Sequence, residues 1–221
     1  MFETSFQHAS STPLPKDVSL DNGLQLLHDF ETIIRLSPDC RGCKSIPPPK
    51  KGEHKRSGIG ANGTADGQEQ EEILYYEVED DLTFIPKSLW SGGVKYQADY
   101  VPRPDGCDIT VHAPGGFTST NHWRLLRGNE PAGRPSELAH EKDLARAQSK
   151  NTLHADQTSS GWYVQIVSDA KVNRTFATFV KGFLKSSHRQ LQNAFIEKLK
   201  GANEQQDNAR PRLGRRKSSH L

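Results

Sequence analysis

Two alternating runs on either side of a turn constrain this fold more than any other feature. Residues 94–101 and 107–113 each alternate apolar and polar side chains, a period of two that is typical of a β-strand with one buried face. Between them lies Pro102-Arg103-Pro104-Asp105-Gly106, whose proline and glycine residues favour a tight turn. The sequence therefore predicts a β-hairpin, whose two strands pair antiparallel.

Further strands are predicted on both sides of this hairpin. Residues 73–85, 117–126 and 161–169 are rich in aliphatic and aromatic side chains, and Pro114-Gly115-Gly116 supplies another turn. A short strand is also expected near residues 2–8, and Pro13-Leu14-Pro15 is expected to end it. Consecutive strands joined by tight turns favour an antiparallel meander, here of about four to six strands.

Two amphipathic helices are predicted to flank the strands, over residues 17–36 and 175–200. Ser37-Pro38 ends the first, because the residue before proline avoids the helical region, and Gly201 is expected to cap the second. Spacings of three and four place one apolar stripe on the long second helix, formed by Phe176, Phe179, Val180, Phe183, Leu184, Leu191, Ala194, Phe195 and Leu199. We therefore predict an α+β fold in which a curved antiparallel sheet grips the long C-terminal helix.

The polar segments lie outside this predicted core. We expect a single domain over residues 1–201 that contains two disordered insertions, 47–72 and 128–160, and a short helix at 137–147 within the second. Residues 202–221 are expected to form a disordered basic tail. Only 33% of the 221 residues are hydrophobic, which agrees with a small core. The chain has 29 basic and 27 acidic residues, and five of the basic ones lie in 201–221. The folded body has no basic excess, which argues against its binding nucleic acid.

The cysteines and the N-terminus predict a cytoplasmic protein. Cys40, Cys43 and Cys107 are too few, and odd in number, for a disulfide framework. The first residues hold an early acid and no apolar stretch, so no secretory signal is predicted. No run approaches the roughly 18 apolar residues of a transmembrane helix.

Several residues could carry chemistry, but none forms a complete site in the sequence. Cys40 and Cys43 make a lone C-x-x-C, whereas zinc needs four ligands, so loop thiols are predicted and metal or redox use is the alternative. His28 is predicted to pack or face solvent, and His112 to lie on the outer sheet face, near His122 if their strands pair. No metal, cofactor or catalytic residue is predicted.

Several motifs resemble a known family. They are Leu27-His28-Asp29, Ile34-Arg35-Leu36-Ser37-Pro38, the strand 75–85, Phe179-Val180-Lys181 and Ser187-His188. Together they resemble an uncharacterised domain family of filamentous fungi within the START-like superfamily, which has the helix-grip fold. The resemblance excludes both insertions and the tail, and Asp39-Cys40-Arg41-Gly42-Cys43 departs from it. It implies a cavity between sheet and long helix that could hold an apolar small molecule, and it assigns no catalytic residue.

The predicted wall of that cavity is aromatic, with core packing as the alternative role. It consists of Tyr96, Tyr100, Trp123, Trp162 and Phe183, and Trp90 is a candidate gate beside Ser91-Gly92-Gly93. The leading hypothesis is binding of a lipid or an aromatic metabolite. One alternative is an accessory enzyme of the polyketide cyclase or aromatase type, and another is a non-catalytic interaction protein with a filled core.

Overall fold

Seven antiparallel strands form one curved sheet beside a long C-terminal helix. The computed structural model describes residues 3–49, 72–81, 93–127 and 159–209. The strands are β1 (Glu3–Pro15), β2 (Cys40–Ile46), β3 (Leu74–Asp81), β4 (Gly93–Arg103), β5 (Gly106–Ala113), β6 (Phe117–Arg127) and β7 (Ser159–Asn173). The helices are α1 (Leu20–His28), α2 (Phe30–Arg35) and α3 (Ala177–Ala209). The predicted α+β helix-grip fold is confirmed.

The strand order is β1-β7-β6-β5-β4-β3-β2, so most neighbours in the sheet are neighbours in the chain. The predicted hairpin is confirmed as β4 and β5, with Tyr100 opposite Ile109 and a turn at Pro104 and Asp105. Gly106, the first residue of β5, lies very close to the backbone of β6: a Cβ at this position would be 2.0 Å from the carbonyl oxygen of Trp123. This position therefore requires glycine.

The first strand is longer than predicted. β1 continues past residue 8 and through Pro13, which lies opposite Tyr163 of β7, so the predicted extent of 2–8 is wrong, whereas the strand does end at Pro15. β1 is an edge strand of the sheet. A proline without an N–H is tolerated there, since one side of an edge strand has no ladder partner. The register then shifts between Pro13 and Pro15.

The first predicted helix is divided into two. Asp29 has non-helical angles (φ −85°, ψ 81°) and separates α1 from α2. Its carboxylate accepts hydrogen bonds from the Thr32 backbone N–H at 3.2 Å and from the Thr32 hydroxyl at 2.6 Å. Asp29 thus ends one helix and caps the next, a role that short acidic side chains fill well.

The two clustered cysteines lie in a strand and not in a loop. Cys40 and Cys43 belong to β2, which pairs with β3 through an irregular register between Cys40 and Gly42. Both thiols are free and half-buried, and both pack against the core. Burial raises the pKa of each. Among the described residues, no group of three acidic, histidine or cysteine side chains could hold a metal ion.

Gly201 was predicted to cap the long helix, but α3 continues past it to Ala209, so that prediction is wrong. Within the described part, no helix is long and apolar enough to span a membrane. Residues 50–71, 82–92, 128–158 and 210–221 lie outside the described ranges. The predictions for most of both insertions, the short helix at 137–147, Trp90 and the last part of the tail fall on these residues.

Candidate functional site

The site is positioned by α3, whose two halves have different surroundings. In the C-terminal half, Phe195 and Leu199 are fully buried, and the ring centroid of Phe195 lies 5.9 Å from that of Trp123. In the N-terminal half, Phe179 is 43% exposed and Phe183 is half-buried. The single apolar stripe predicted for this helix is therefore divided, with one part in the core and one part outside it.

A cavity of about 660 Å³ lies along the N-terminal half of α3. The helix side of its described lining comes from Thr178, Phe179, Gly182, Phe183, Ser186 and Ser187. Thr175 and Gln190 extend this side, while Pro38 and Asp39, between α2 and β2, line it from the other. The cavity combines two aromatic rings and a proline with several hydroxyls, one amide and one carboxylate. Such a lining suits a guest with an apolar body and a few polar groups.

The five predicted wall residues do not gather at this cavity. Phe183 belongs to its described lining. Tyr100 lies in the core, where its ring centroid is 5.1 Å from that of Phe30, and Trp123 is buried against Phe195. For Tyr100 and Trp123, the structure shows the core packing that the sequence left as the alternative.

The other two predicted residues make polar or cationic contacts. The Tyr96 hydroxyl donates a 2.8 Å hydrogen bond to Asp80. Burial raises the pKa of Asp80, and its second carboxylate oxygen is buried with no hydrogen bond from the described residues. The Arg127 guanidinium lies 4.9 Å from the ring centroid of Trp162, which is cation–π distance. Neither Tyr96 nor Trp162 belongs to the described lining of the cavity.

A buried polar network anchors α3 to the sheet beside the cavity. His188 is 2% exposed, and its two ring nitrogens contact hydroxyls of Ser10 on β1 (3.1 Å) and Ser168 on β7 (2.6 Å). Ser168 donates its own proton to Asn121, so it must accept from His188 Nε2–H, and Ser10 donates to Nδ1. Burial, with a smaller contribution from the charge of His8, lowers the pKa of His188 to about 3. His188 is therefore a neutral, fully bonded group.

Gln192 continues this network one turn further along α3. Its amide accepts a 2.9 Å hydrogen bond from the Thr12 hydroxyl. It donates to the backbone carbonyls of Ser10 and Val164 at 3.0 and 3.2 Å. His188 and Gln192 thus fix the position of the helix against both β1 and β7. The burial of His188 was predictable from the sequence, because His188 stands at helical spacing between Leu184 and Leu191, which are buried and partly buried. Nothing was predicted for His188 from this spacing.

A second buried histidine lies on the outer face of the sheet, among charges. His122 Nδ1 is 2.7 Å from Asp108, and Nε2 is 3.4 Å from Asp169. Asp108 also accepts from Arg124 at 2.6 Å and from Arg103 at 2.7 Å. Burial opposes both charges, but the hydrogen bonds outweigh it, so the pKa of His122 is raised and that of Asp108 is held well below its ordinary value.

The remaining predicted histidines have structural partners. His112 lies on the outer face, as predicted, 3.0 Å from Asp99. In the β5–β6 register it stands opposite Thr118, whereas His122 stands opposite Asp108, so the two histidines are four positions apart. His28 Nε2–H reaches the carbonyls of Arg103 at 3.0 Å and Gly106 at 3.1 Å. His28 is exposed, so of the two predicted roles, packing or facing solvent, the structure shows a solvent-facing ring that is hydrogen-bonded to the β4–β5 turn.

Comparisons with known proteins complete this description. Three solved structures are similar to the chain. TTHA0849 from Thermus thermophilus has a TM-score of 0.44 and 10% sequence identity, and the match covers 90% of this chain and 99% of that one. For Zhui aromatase/cyclase from Streptomyces sp. R1128, the TM-score is 0.41, the identity 9% and the two coverages 97% and 100%, and for Ara h 8.0201 they are 0.43, 9%, 89% and 99%. A search of the curated proteins gives no significant match. The family described as "Domain of unknown function (DUF7053)" matches residues 3–201, so the chain belongs to that family.

Proposed function

We propose that this member of the DUF7053 family binds an apolar small molecule, a lipid or an aromatic metabolite, in the cavity beside α3. The observation that carries the proposal is the cavity of about 660 Å³ between the N-terminal half of the helix and Pro38-Asp39. This volume lies within the range that proteins use for small-molecule ligands. The rings of Phe179 and Phe183 would contact the apolar part of the guest, which gains about 25 cal/mol for each Å² it removes from water.

The polar part of the lining supports a guest that also carries a hydroxyl or carbonyl group. Ser186, Ser187 and Gln190 supply donors and acceptors along one helix flank, and Asp39 supplies an acceptor opposite them. A few polar groups in an apolar cavity orient a ligand without adding much affinity. Contact of the ligand with Tyr96, Tyr100, Trp123 and Trp162 stays a prediction, and Phe183 is the residue of that set on which the proposal depends.

Binding is favoured over the two alternatives by the position of the titratable groups and by the cavity itself. An enzyme of the cyclase type would need an acid or base with a tuned pKa at the cavity. The groups whose pKa values are strongly displaced, His188 and Asp108 among them, do not belong to the described lining. The described core is itself filled, so what favours binding over an interaction protein is the cavity outside that core, beside the helix.

The proposal is tested by filling the cavity from the helix side. A Cβ added at Gly182 meets no atom within 4 Å, so Gly182→Leu projects into the open space without disturbing the helix. Gly201→Leu is the matched control, because the same helix offers the same freedom there, away from the cavity.

Native mass spectrometry of protein purified from a fungal host should detect an apolar molecule on the wild type and on Gly201→Leu. Gly182→Leu should lose it. The same pattern should appear as a thermal shift with a panel of lipids and aromatic polyketides. Equal ligand retention by the two variants, or a wild type that stays empty and unshifted throughout the panel, would contradict the proposal.

We further propose that the chain acts in the cytoplasm of a fungus. Cys40, Cys43 and Cys107 are all free, which suits a reducing compartment. The fungal source is an expectation from the family resemblance. Fractionation of a fungal strain that expresses the tagged chain tests the location, and recovery in the secreted fraction would contradict it.

A further inference from the structure

The segment that carries the cavity also has an unusual charge pattern. From residue 170 to residue 196 the chain contains five basic residues and no acidic one. Lys171 is compensated by Glu3 at 2.6 Å. Lys181, Lys185 and Arg189, which we call the basic face, are exposed and follow one another every four residues along α3. Such spacing keeps side chains on one side of a helix, here over about 12 Å.

The basic face is not neutralised by the described part of the protein. Lys185 and Arg189 form no ion pair with any described residue. Lys181 lies with its ammonium 5.2 Å from the ring centroid of Phe6 on β1, a contact that keeps its positive charge. The face is therefore a local excess of positive charge on a body that is otherwise near neutral.

An exposed aromatic side chain lies on the same helical segment. Phe179 is the large hydrophobic residue that stands out as exposed among the described residues, at 43%. At about 100° per residue, Gly182 and Ser186 lie between it and the basic face on the helix surface. Phe179, Lys185 and Arg189 lie within about 120° of the helix surface and can therefore meet one flat surface together, with small residues between them.

We propose that this side of α3 docks on an anionic lipid bilayer. Lysine and arginine near such a surface are attracted to its lipid headgroups, and an aromatic ring beside them can enter the interface. A nucleic acid would be attracted by the same charges, but the basic face lies on the convex side of one helix and not in a groove that follows a backbone. The docking surface shares Phe179 with the cavity lining, but Lys185 and Arg189 lie outside that described lining, so their variants test bilayer binding separately from ligand binding.

Flotation of the full chain with vesicles tests the proposal. The chain should float with phosphatidylcholine vesicles that contain phosphatidylserine, and not with phosphatidylcholine alone. Lys185→Glu with Arg189→Glu should lower the partition coefficient at least about tenfold, because attraction becomes repulsion at two positions. Lys44→Glu with Lys198→Glu makes the same change of net charge at exposed sites away from the basic face and should have little effect. Phe179→Ala should lower partitioning about two- to tenfold at equal charge.

Four outcomes would overturn the proposal. They are absence of flotation with anionic vesicles, equal binding to neutral vesicles, equal loss in the Lys44/Lys198 control, and binding to a single-stranded RNA but not to vesicles. Raising the salt concentration should release the wild type, since exposed charges are screened. Unfolding curves of the double variant should match those of the wild type, because both side chains are exposed.

Discussion

The two halves of α3 share one helix but serve different purposes. The C-terminal half is held by apolar packing of Phe195 and Leu199, and the hydrogen bonds of His188 and Gln192 anchor the middle of the helix. The N-terminal half leaves Phe179 exposed and borders a cavity. The C-terminal half therefore stabilises the fold, and the N-terminal half carries the surfaces proposed for a ligand and for a bilayer. Apolar spacing along a helix does not distinguish these uses.

The largest expected difference between the halves is in stability. Phe195→Ala should lower the free energy of unfolding by about 3–5 kcal/mol, because it leaves a cavity in the core. Phe183→Ala removes the same atoms beside existing space and should cost about 1 kcal/mol or less. Equilibrium unfolding in urea measures both. Equal losses would show that the two halves are packed alike, contrary to this prediction.

The buried anchor in the middle of α3 should also make stability depend on pH. Because the pKa of His188 is lowered from 6.5 to about 3 on folding, the unfolded chain binds a proton in this interval and the native chain does not. His188 should therefore lower stability by about 1.4 kcal/mol for each pH unit as the pH falls through that window. His122 should affect stability in the opposite direction. Its pKa is raised on folding, so the stability it adds is lost as the pH rises through its pKa in the native protein.

Urea unfolding of the wild type and of His188→Gln across this range measures the effect. The glutamine variant should lose the His188 contribution to the slope between about pH 4 and 6.5, whatever its stability at neutral pH; below about pH 4, Asp108, whose pKa is also lowered, adds a slope of the same sign that remains. His28→Gln is a matched control, because His28 is exposed at the end of α1. A slope that is the same in all three proteins would show that His188 is not the group responsible.

A smaller effect should separate two threonines of similar chemistry. Thr12→Val removes the donor to the buried Gln192 amide and should cost about 1–3 kcal/mol. Thr178→Val changes a residue of the cavity wall and should lie within about 0.5 kcal/mol of the wild type. Thermal unfolding midpoints of the two variants give the comparison. A larger loss for Thr178→Val would reverse the roles given to the two halves.

Sequence periodicity was enough for the sheet and for the existence of both helical regions. The hairpin of β4 and β5 was predictable because its alternation and its turn residues agree. β2 was not predicted because apolar and polar residues do not alternate in Cys40-Arg41-Gly42-Cys43. The register shifts between Cys40 and Gly42, so two cysteines three residues apart can both pack against the core, which a regular strand pattern would not predict. The break at Asp29 was missed because the apolar spacing continues across it, while the cap depends on local hydrogen bonds to Thr32.

The cavity was harder to locate than the fold. Aromatic residues are favoured both in cores and in ligand sites, so composition alone did not separate Phe183 from Tyr100 and Trp123. The opposite wall, Pro38 and Asp39, is far away in sequence and is brought to α3 only by the tertiary fold. The end of α3 was misplaced for a simpler reason, since Gly201 lies in open space and is tolerated inside the helix.

The pairing of β1 with β7 has a kinetic consequence. Glu3 lies opposite Asn173, so the first strand finds its partner only after nearly the whole sheet has been synthesised. Until then the ribosome-bound chain carries an unpaired strand that can join another molecule. Such long-range closure slows folding, because the entropy of a very large loop is lost before the contacts that reward it form. Chaperone protection of the nascent chain should therefore matter most during the interval before residues 159–173 emerge.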